Sequence, residues 1–376
     1  MAAGAGTTPG PENQRFYRIA WPGHYNPPMR VALVDSQVAF IQGGAEMLTD
    51  KLSAAMRRLG HHVELIRIPL NPADPRDIHR VIDFALGEDL SRYIAAPDVV
   101  IGLRFPGYLV QHHDKRVWLL HQLRQYYEYH AQTRAAGDAQ QVDALRERLT
   151  RVDREALAGA SQLWAQSIRI ADRLNEYNGL KPPALYPPLP TEEGFYEGRQ
   201  DAYIFAPSRL ERHKRQWLLI EAMALVKSGV KAVIGGEGGA WADYAKLIEQ
   251  KGLQDRVLLC GRLSHEVQAA WYANALGVFF GPEDEDYGFV TLEAMLSGKP
   301  VITCRDSGAT LEFVEDGANG FVIEPEARAV AERIDWLAGH AAKARDMGRE
   351  GRSRYRRLEL TWEKTASVLL APGGRT

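Results

Sequence analysis

Two cysteines, Cys260 and Cys304, are all that 376 residues contain, and both lie in apolar runs that read as buried strands. A disulfide framework is therefore not indicated, and a reducing cytoplasm is the expected location. No stretch approaches the ~18 to 20 uncharged apolar residues of a membrane span. The N-terminus also lacks the basic-then-apolar order of a secretory signal, so insertion or export by that route is not expected. An excess of one charge is missing as well, since 46 Lys and Arg stand against 48 Asp and Glu for a formal net charge of -2. No global field gathers nucleic acid, and a small-molecule ligand is expected instead. The phosphate loop GxxxxGK[ST] does not occur, which sets aside an NTPase of that type. G-x-G-x-x-G is absent after the first strand, where the chain reads SQVAFIQGGAE, and GGEGG at 235–239 lacks the third glycine. A hydride-transferring dehydrogenase is thereby disfavoured.

With 45% hydrophobic and 25% charged residues, the chain has ordinary globular composition and the length of about two domains. Residues 1–14 are small, polar and rich in Pro and Gly, so 1–28 read as a disordered tail and lead-in. From residue 29 a pattern of apolar run, glycine turn and amphipathic helix begins and repeats. MRVALVD (29–35) reads as a buried parallel strand, residues 43–60 as a helix, and HVELIRI (62–68) as the next strand. Further strands are expected at 98–103, 116–121 and 162–167, with a charged helix over 138–158. Such alternation demands a parallel sheet covered by helices. Five prolines within 180–200 mark a connector.

The second half restarts the alternation, with strands at 202–208, 231–236, 256–261, 277–281 and 300–304. Helices are expected between them at 217–228, 243–251, 265–275 and 289–297, and a last helix over 354–370 reaches back across the first domain. The expected division is 29–195, with a terminal helix at 358–372, and 196–357. No heptad run or short repeat sets an oligomeric state.

In open α/β sheets, ligands sit at the carboxyl ends of strands, where helix N-termini present unpaired N–H groups. The strongest local signal is GPEDEDYGFVTLEAMLSGKPVI, in which Glu285 and Glu293 stand eight apart across Gly288 and a helix start. That helix, opening with Phe289, Val290 and Thr291, would aim its positive end at a diphosphate. Glu293 would then accept hydrogen bonds from a ribose, and Glu285 would reach the sugar. Taken alone, Asp284, Glu285 and Asp286 also suit a solvated loop. In SRLERHK, Arg209 and Lys214 follow a strand end, whereas Arg212 and Arg215 read as solvated charges. The pair Gly43 and Gly44 lets backbone pass close to a ligand. His121 ends a strand at the edge where a cleft should lie.

Glu285, seven intervening residues and Glu293, followed by AM and GKPV, resemble the Glu-x7-Glu motif of the retaining family 4 glycosyltransferases. Arg209 and Lys214 match that family's Arg-Leu-x-x-x-Lys, and the resemblance covers nearly the whole chain after residue 29. It implies the GT-B fold, an α/β architecture of two Rossmann-like, doubly wound domains facing across a cleft. It further implies that the first domain takes the acceptor and the second the nucleotide-sugar donor.

By the same resemblance Arg209 and Lys214 hold the donor diphosphate, His121 and Glu285 act at the sugar, and Gly43 and Gly44 approach the phosphates. Arg262 and Leu263 lie near the base, while Gln122, Arg124 and Tyr127 shape the acceptor side. Where relatives carry Gly-Gly after PVI, this chain has CRDSGATLEF with Ala309 in second place, which puts the close backbone approach there in question.

The implied activity moves a sugar from a UDP- or GDP-linked donor to a saccharide or glycolipid acceptor, with retention, as in polysaccharide or glycoconjugate assembly. No metal or cofactor is needed, because cations neutralise the leaving group. A sugar-nucleotide epimerase or phosphorylase of the same fold, and a non-catalytic two-domain sugar-binding protein, are the alternatives. The basic stretch at 352–357 is either a docking face for the inner membrane surface or a solvated helix side.

Overall fold

The computed structural model describes residues 27–40 and 43–372; the tail expected at 1–14 lies outside the described residues. The first sheet holds β1 (Arg30–Gln37), β2 (His62–Pro69), β3 (Val99–Arg104), β4 (Lys115–His121) and β5 (Gln162–Ala165). All pairings are parallel, in the order β2-β1-β3-β4-β5. Helices α1 (Gly44–Arg58), α2 (Pro75–Gly87), α3 (His130–Ala136), α4 (Ala139–Ala158) and α5 (Ile168–Asn178) accompany it. Apolar side chains pack on both faces of the sheet, which explains the unbroken run of buried residues along β3.

Helices α2, α3 and α5 go beyond the sequence reading. The start of α2 is set by Asp74, which accepts from the Arg76 N–H, with Pro75 at the first helical position. Ser167 caps α5 by accepting from the Ile170 N–H, so the strand expected over 162–167 stops at Ala165.

The second sheet holds β6 (Tyr203–Pro207), β7 (Lys231–Gly235), β8 (Val257–Leu259), β9 (Gly277–Phe279), β10 (Val301–Cys304) and β11 (Gly320–Ile323). It too is parallel, in the order β11-β10-β9-β6-β7-β8. Its helices are α6 (Gln216–Met223), α7 (Trp241–Gln250), α8 (His265–Asn274), α9 (Phe289–Leu296), α10 (Ala327–Gly339) and α11 (Ala341–Leu358). Helix α6 ends earlier than 228, because the Lys227 and Ser228 N–H groups turn to donate to Asp335 of α10. Cys260 and Cys304 are both free thiols.

The single helix expected over 354–370 is in fact two. Glu359 takes a left-handed conformation (φ 48°) that ends α11, and Thr361 caps α12 (Trp362–Leu370) by accepting from the Lys364 N–H. Trp362, Ala366, Leu369 and Leu370 of α12 bury against Leu48, Leu52 and Met56 of α1. Arg116 of β4 holds its end, donating to the Leu369 and Ala371 carbonyls at 2.7 and 2.9 Å.

The connector is tied to both halves. Ala184 bridges to Ala165, Tyr287 Oη donates to the Pro187 carbonyl, and the Gly198 N–H donates to the Ala273 carbonyl.

Strand order decides where ligands can sit. In the first sheet the direction of winding reverses between β1 and β3, and in the second between β6 and β9. Crevices open at the carboxyl ends of those pairs.

Candidate active site

At the first crevice Asp35 lies two residues before the end of β1 and Arg104 ends β3, both buried. Arg104 donates to Asp35 at 2.7 and 2.8 Å and to Glu46 at 2.8 Å, and Thr49 Oγ1 donates to Asp35 at 2.7 Å. The other Glu46 oxygen accepts from the Gly43 N–H at 2.8 Å. Burial raises the Glu46 carboxyl, but the Arg104 charge and the hydrogen bonds outweigh it and hold the group below its ordinary value. The glycine turn is thus anchored through Glu46 and Arg104 to the sheet. Sequence reasoning missed these three residues; the available signal was a charge closing each of two apolar strand runs, VALVD and VVIGLR.

Across the cleft, β6 delivers Ser208 and Arg209, and β7 runs into Gly236. A side chain at Gly236 is impossible: its φ is 131°, and a Cβ would lie 1.9 Å from the Ser208 carbonyl oxygen. The loops after β6 and β7 therefore pack backbone against backbone. Helix α9 enters from the side and places Glu293 in its second turn, accepting from Tyr272 Oη at 2.6 Å and from Gln268 Nε2 at 3.4 Å. Burial pushes the Glu293 carboxyl up, against the lowering effect of the Tyr272 bond.

A cavity of about 940 Å³ lies between the halves. Gly43, Gly44 and Met47 face Arg209, Arg262, Leu263, Val290 and Glu293 across it. Phe289, the first residue of α9, packs its ring against Gly44. Gly288 precedes it, and Thr291 is fully buried, its N–H donating to the Gly288 carbonyl.

Lys214 does not line this cavity. It sits on a 3-10 turn after β6, where its ammonium pairs with the Glu285 carboxylate and lies 5.9 Å from the centre of the Phe280 ring. Both side chains of the pair are largely buried.

The loop carrying Glu285 leaves β9 and is pinned by three backbone bonds. The Glu283 N–H donates to His213, the Asp284 N–H to Asp306, and the Ala309 N–H to Glu285. Gly308, at φ 61°, approaches so closely that a Cβ would lie 2.5 Å from the Glu285 carbonyl oxygen. The close approach questioned at Ala309 is therefore made by its neighbour.

His121 ends β4 with Nδ1 3.0 Å from the Gln122 carbonyl. Gln122 and Tyr127 need correcting as acceptor contacts, because both turn into the first domain. Gln122 donates to Asp153 at 3.1 Å, and Tyr127 Oη donates to it at 2.6 Å. Arg124 instead crosses to the second domain and meets Asp284 and Asp286 at 3.3 Å each. The solvated readings of Asp284, Asp286 and Arg215 also fail: Arg215 donates twice to Asp306 at 2.7 Å. Arg212 is exposed, as expected.

Two parallel doubly wound sheets with a cavity between their carboxyl ends define a GT-B protein. Among solved structures of this fold, sucrose-phosphate synthase from Thermosynechococcus elongatus superposes with a TM-score of 0.72 at 19% identity. That match covers 91% of this chain and 97% of the other. The HepE protein of Anabaena, solved with UDP and glucose, gives 0.67 at 18% identity, covering 91% and 98%.

Residues 193–354 match the model of the glycosyl transferases group 1. Alpha-D-kanosaminyltransferase from Streptomyces kanamyceticus is 28% identical over 251 residues, 63% of this chain and 59% of that protein. Poly(ribitol-phosphate) alpha-N-acetylglucosaminyltransferase from Staphylococcus aureus is 32% identical over 149 residues, 39% of this chain and 30% of that protein. The chain thus spans less than two thirds of these relatives' length.

Proposed function

We propose that the protein transfers a sugar, with retention, from a nucleotide diphosphate donor to a saccharide or lipid-linked acceptor. The observation that carries this reading is the cavity that sets Gly43 and Gly44 opposite Arg209 and Glu293. Arg209, the N-terminus of α9 and Lys214 neutralise the diphosphate as it leaves, so no metal or cofactor is required of the protein. Glu293 accepts the ribose hydroxyls, and Arg262 and Leu263 flank the base. Glu285 and His121 meet at the sugar, with the glycine turn closing over it and keeping water from the anomeric carbon. The donor carries UDP or GDP; HepE, of the same fold, was solved with UDP.

Among the described residues no helix is long and apolar enough to cross a membrane. The basic stretch 352–357 is largely neutralised, with Arg352, Arg354 and Arg357 paired to Glu197, Glu315 and Glu350. A solvated helix side therefore fits that stretch better than a membrane-docking face.

The Lys214–Glu285 pair sharpens the test. Binding of a diphosphate draws Lys214 away from Glu285, so the two compete for one ammonium. A calorimetric screen of UDP, GDP and ADP should find one that binds. Lys214→Ala should weaken that nucleotide at least tenfold, whereas Glu285→Ala should bind it at least as tightly as the unaltered protein and lose transfer. Transfer at the original rate in either variant would refute the assigned role.

A further inference from the structure

Asp284 and Asp286 flank Glu285 on the second domain, and three arginines of the first domain close on them. Arg169 donates to Asp284 at 2.5 Å. Arg173 meets Asp284 at 2.8 Å, pairs with Asp286 and donates to the Asp284 carbonyl at 2.8 Å. Arg124 reaches both carboxylates. Glu128 completes the group, 2.7 Å from Arg173, so three guanidinium groups balance three carboxylates. Only 4% of the Arg173 side chain is exposed.

Ser167 Oγ adds a 2.6 Å bond to the Asp286 carbonyl, and Glu312 accepts from the Ile168 and Arg169 N–H groups. Burial alone would raise the Asp286 carboxyl, yet Arg173 and Arg124 bring it down to about 2.

Geometry gives this cluster a purpose beyond joining two domains. Arg124 stands three residues after His121, and Asp284 and Asp286 stand one residue either side of Glu285. The cluster therefore bolts together the two loops that carry the first-domain and second-domain groups of the sugar site. It also supports Asp284 in a left-handed conformation, φ 50°.

We propose that Arg173 is a positioning residue, holding Glu285 in register with His121 through Asp284 and Asp286. The inference rests on the transferase reading above. A displacement of about 1 Å at a reacting group costs on the order of 100-fold in rate, while the diphosphate contacts at Arg209 and Lys214 belong to the second domain alone.

The experiment uses the full chain, the nucleotide diphosphate found by the screen and the matching nucleotide sugar. Arg173→Ala should lower kcat about 30- to 100-fold and leave the nucleotide Kd within about twofold. Arg173→Lys, which keeps the charge but not the fork, should recover part of the rate. Asp286→Asn keeps the side-chain shape, and should show the same split of kcat from Kd should Arg173→Ala fail to fold. Unchanged kcat in the folded variants, or loss of kcat and affinity together, would overturn the proposal while leaving the transferase reading intact. An unaltered protein that binds none of the nucleotides would take both down.

Discussion

Glu293 shows how one side chain acquires its properties from its neighbours. On a surface helix it would be an ordinary carboxylate, but here it lies under α8 against Tyr272, and burial raises its pKa. A ribose hydroxyl is held best by the ionised form. A raised pKa means that form is lost at higher pH than for an exposed carboxylate, so nucleotide affinity should fall early as the pH is lowered. Titration calorimetry at a series of pH values should show this fall, and Glu293→Gln should bind more weakly but flatten the profile. Lys214 carries the same lesson, since its spacing from Arg209 was legible while its pairing with Glu285 was not. That pairing joins β6 and β9, which are neighbours only in the folded sheet.

Among the elements, α4 is the one whose buried charge has the clearest consequence. Asp153 on α4 is 1% exposed and accepts from Tyr108, Tyr127 and Gln122. Burial pushes its carboxyl up from 3.8 to about 6, although those hydrogen bonds act to lower it. The folded state therefore holds this proton more tightly than the unfolded chain. Its stabilising effect is complete below pH 3.8 and is lost as the pH rises through 6. A gap of about two pH units corresponds to about 3 kcal/mol. Asp153→Asn should remove that slope, so the difference in unfolding free energy between wild type and variant should change by about this amount from pH 4 to 7. Denaturant melts at each pH measure it; parallel curves would contradict the assignment. The same carboxylate explains why Gln122 and Tyr127, which in sequence follow His121, do not face the cleft.

For the whole molecule, the last helix decides how the halves are joined. Helix α12 follows the second sheet in sequence but completes the core of the first. Trp362→Ala should cost about 3–5 kcal/mol, the usual range for a buried Trp, and lower the first calorimetric transition. The nucleotide Kd should be unchanged, because the donor-side residues Arg209, Lys214 and Glu293 lie outside this core. A weakened nucleotide Kd would show that α12 also supports the donor side.

Local physics was enough to read the two α/β halves, whereas the glycine turn, the cationic pair and the two glutamates stood out through the family motif they resemble. Strand and helix periodicities, and residues clustered within about ten positions, are properties of a chain segment and survive without knowledge of its neighbours. The strand order, the Asp35–Arg104–Glu46 anchor, the Arg173 cluster and the turning inward of Gln122 and Tyr127 were decided only by the tertiary structure. Each joins groups far apart along the chain or depends on what lies above a residue. Whether a charge such as Asp286 is solvated or clamped depends on which arginines the folded sheets bring to it, and no local pattern of residues carries that information.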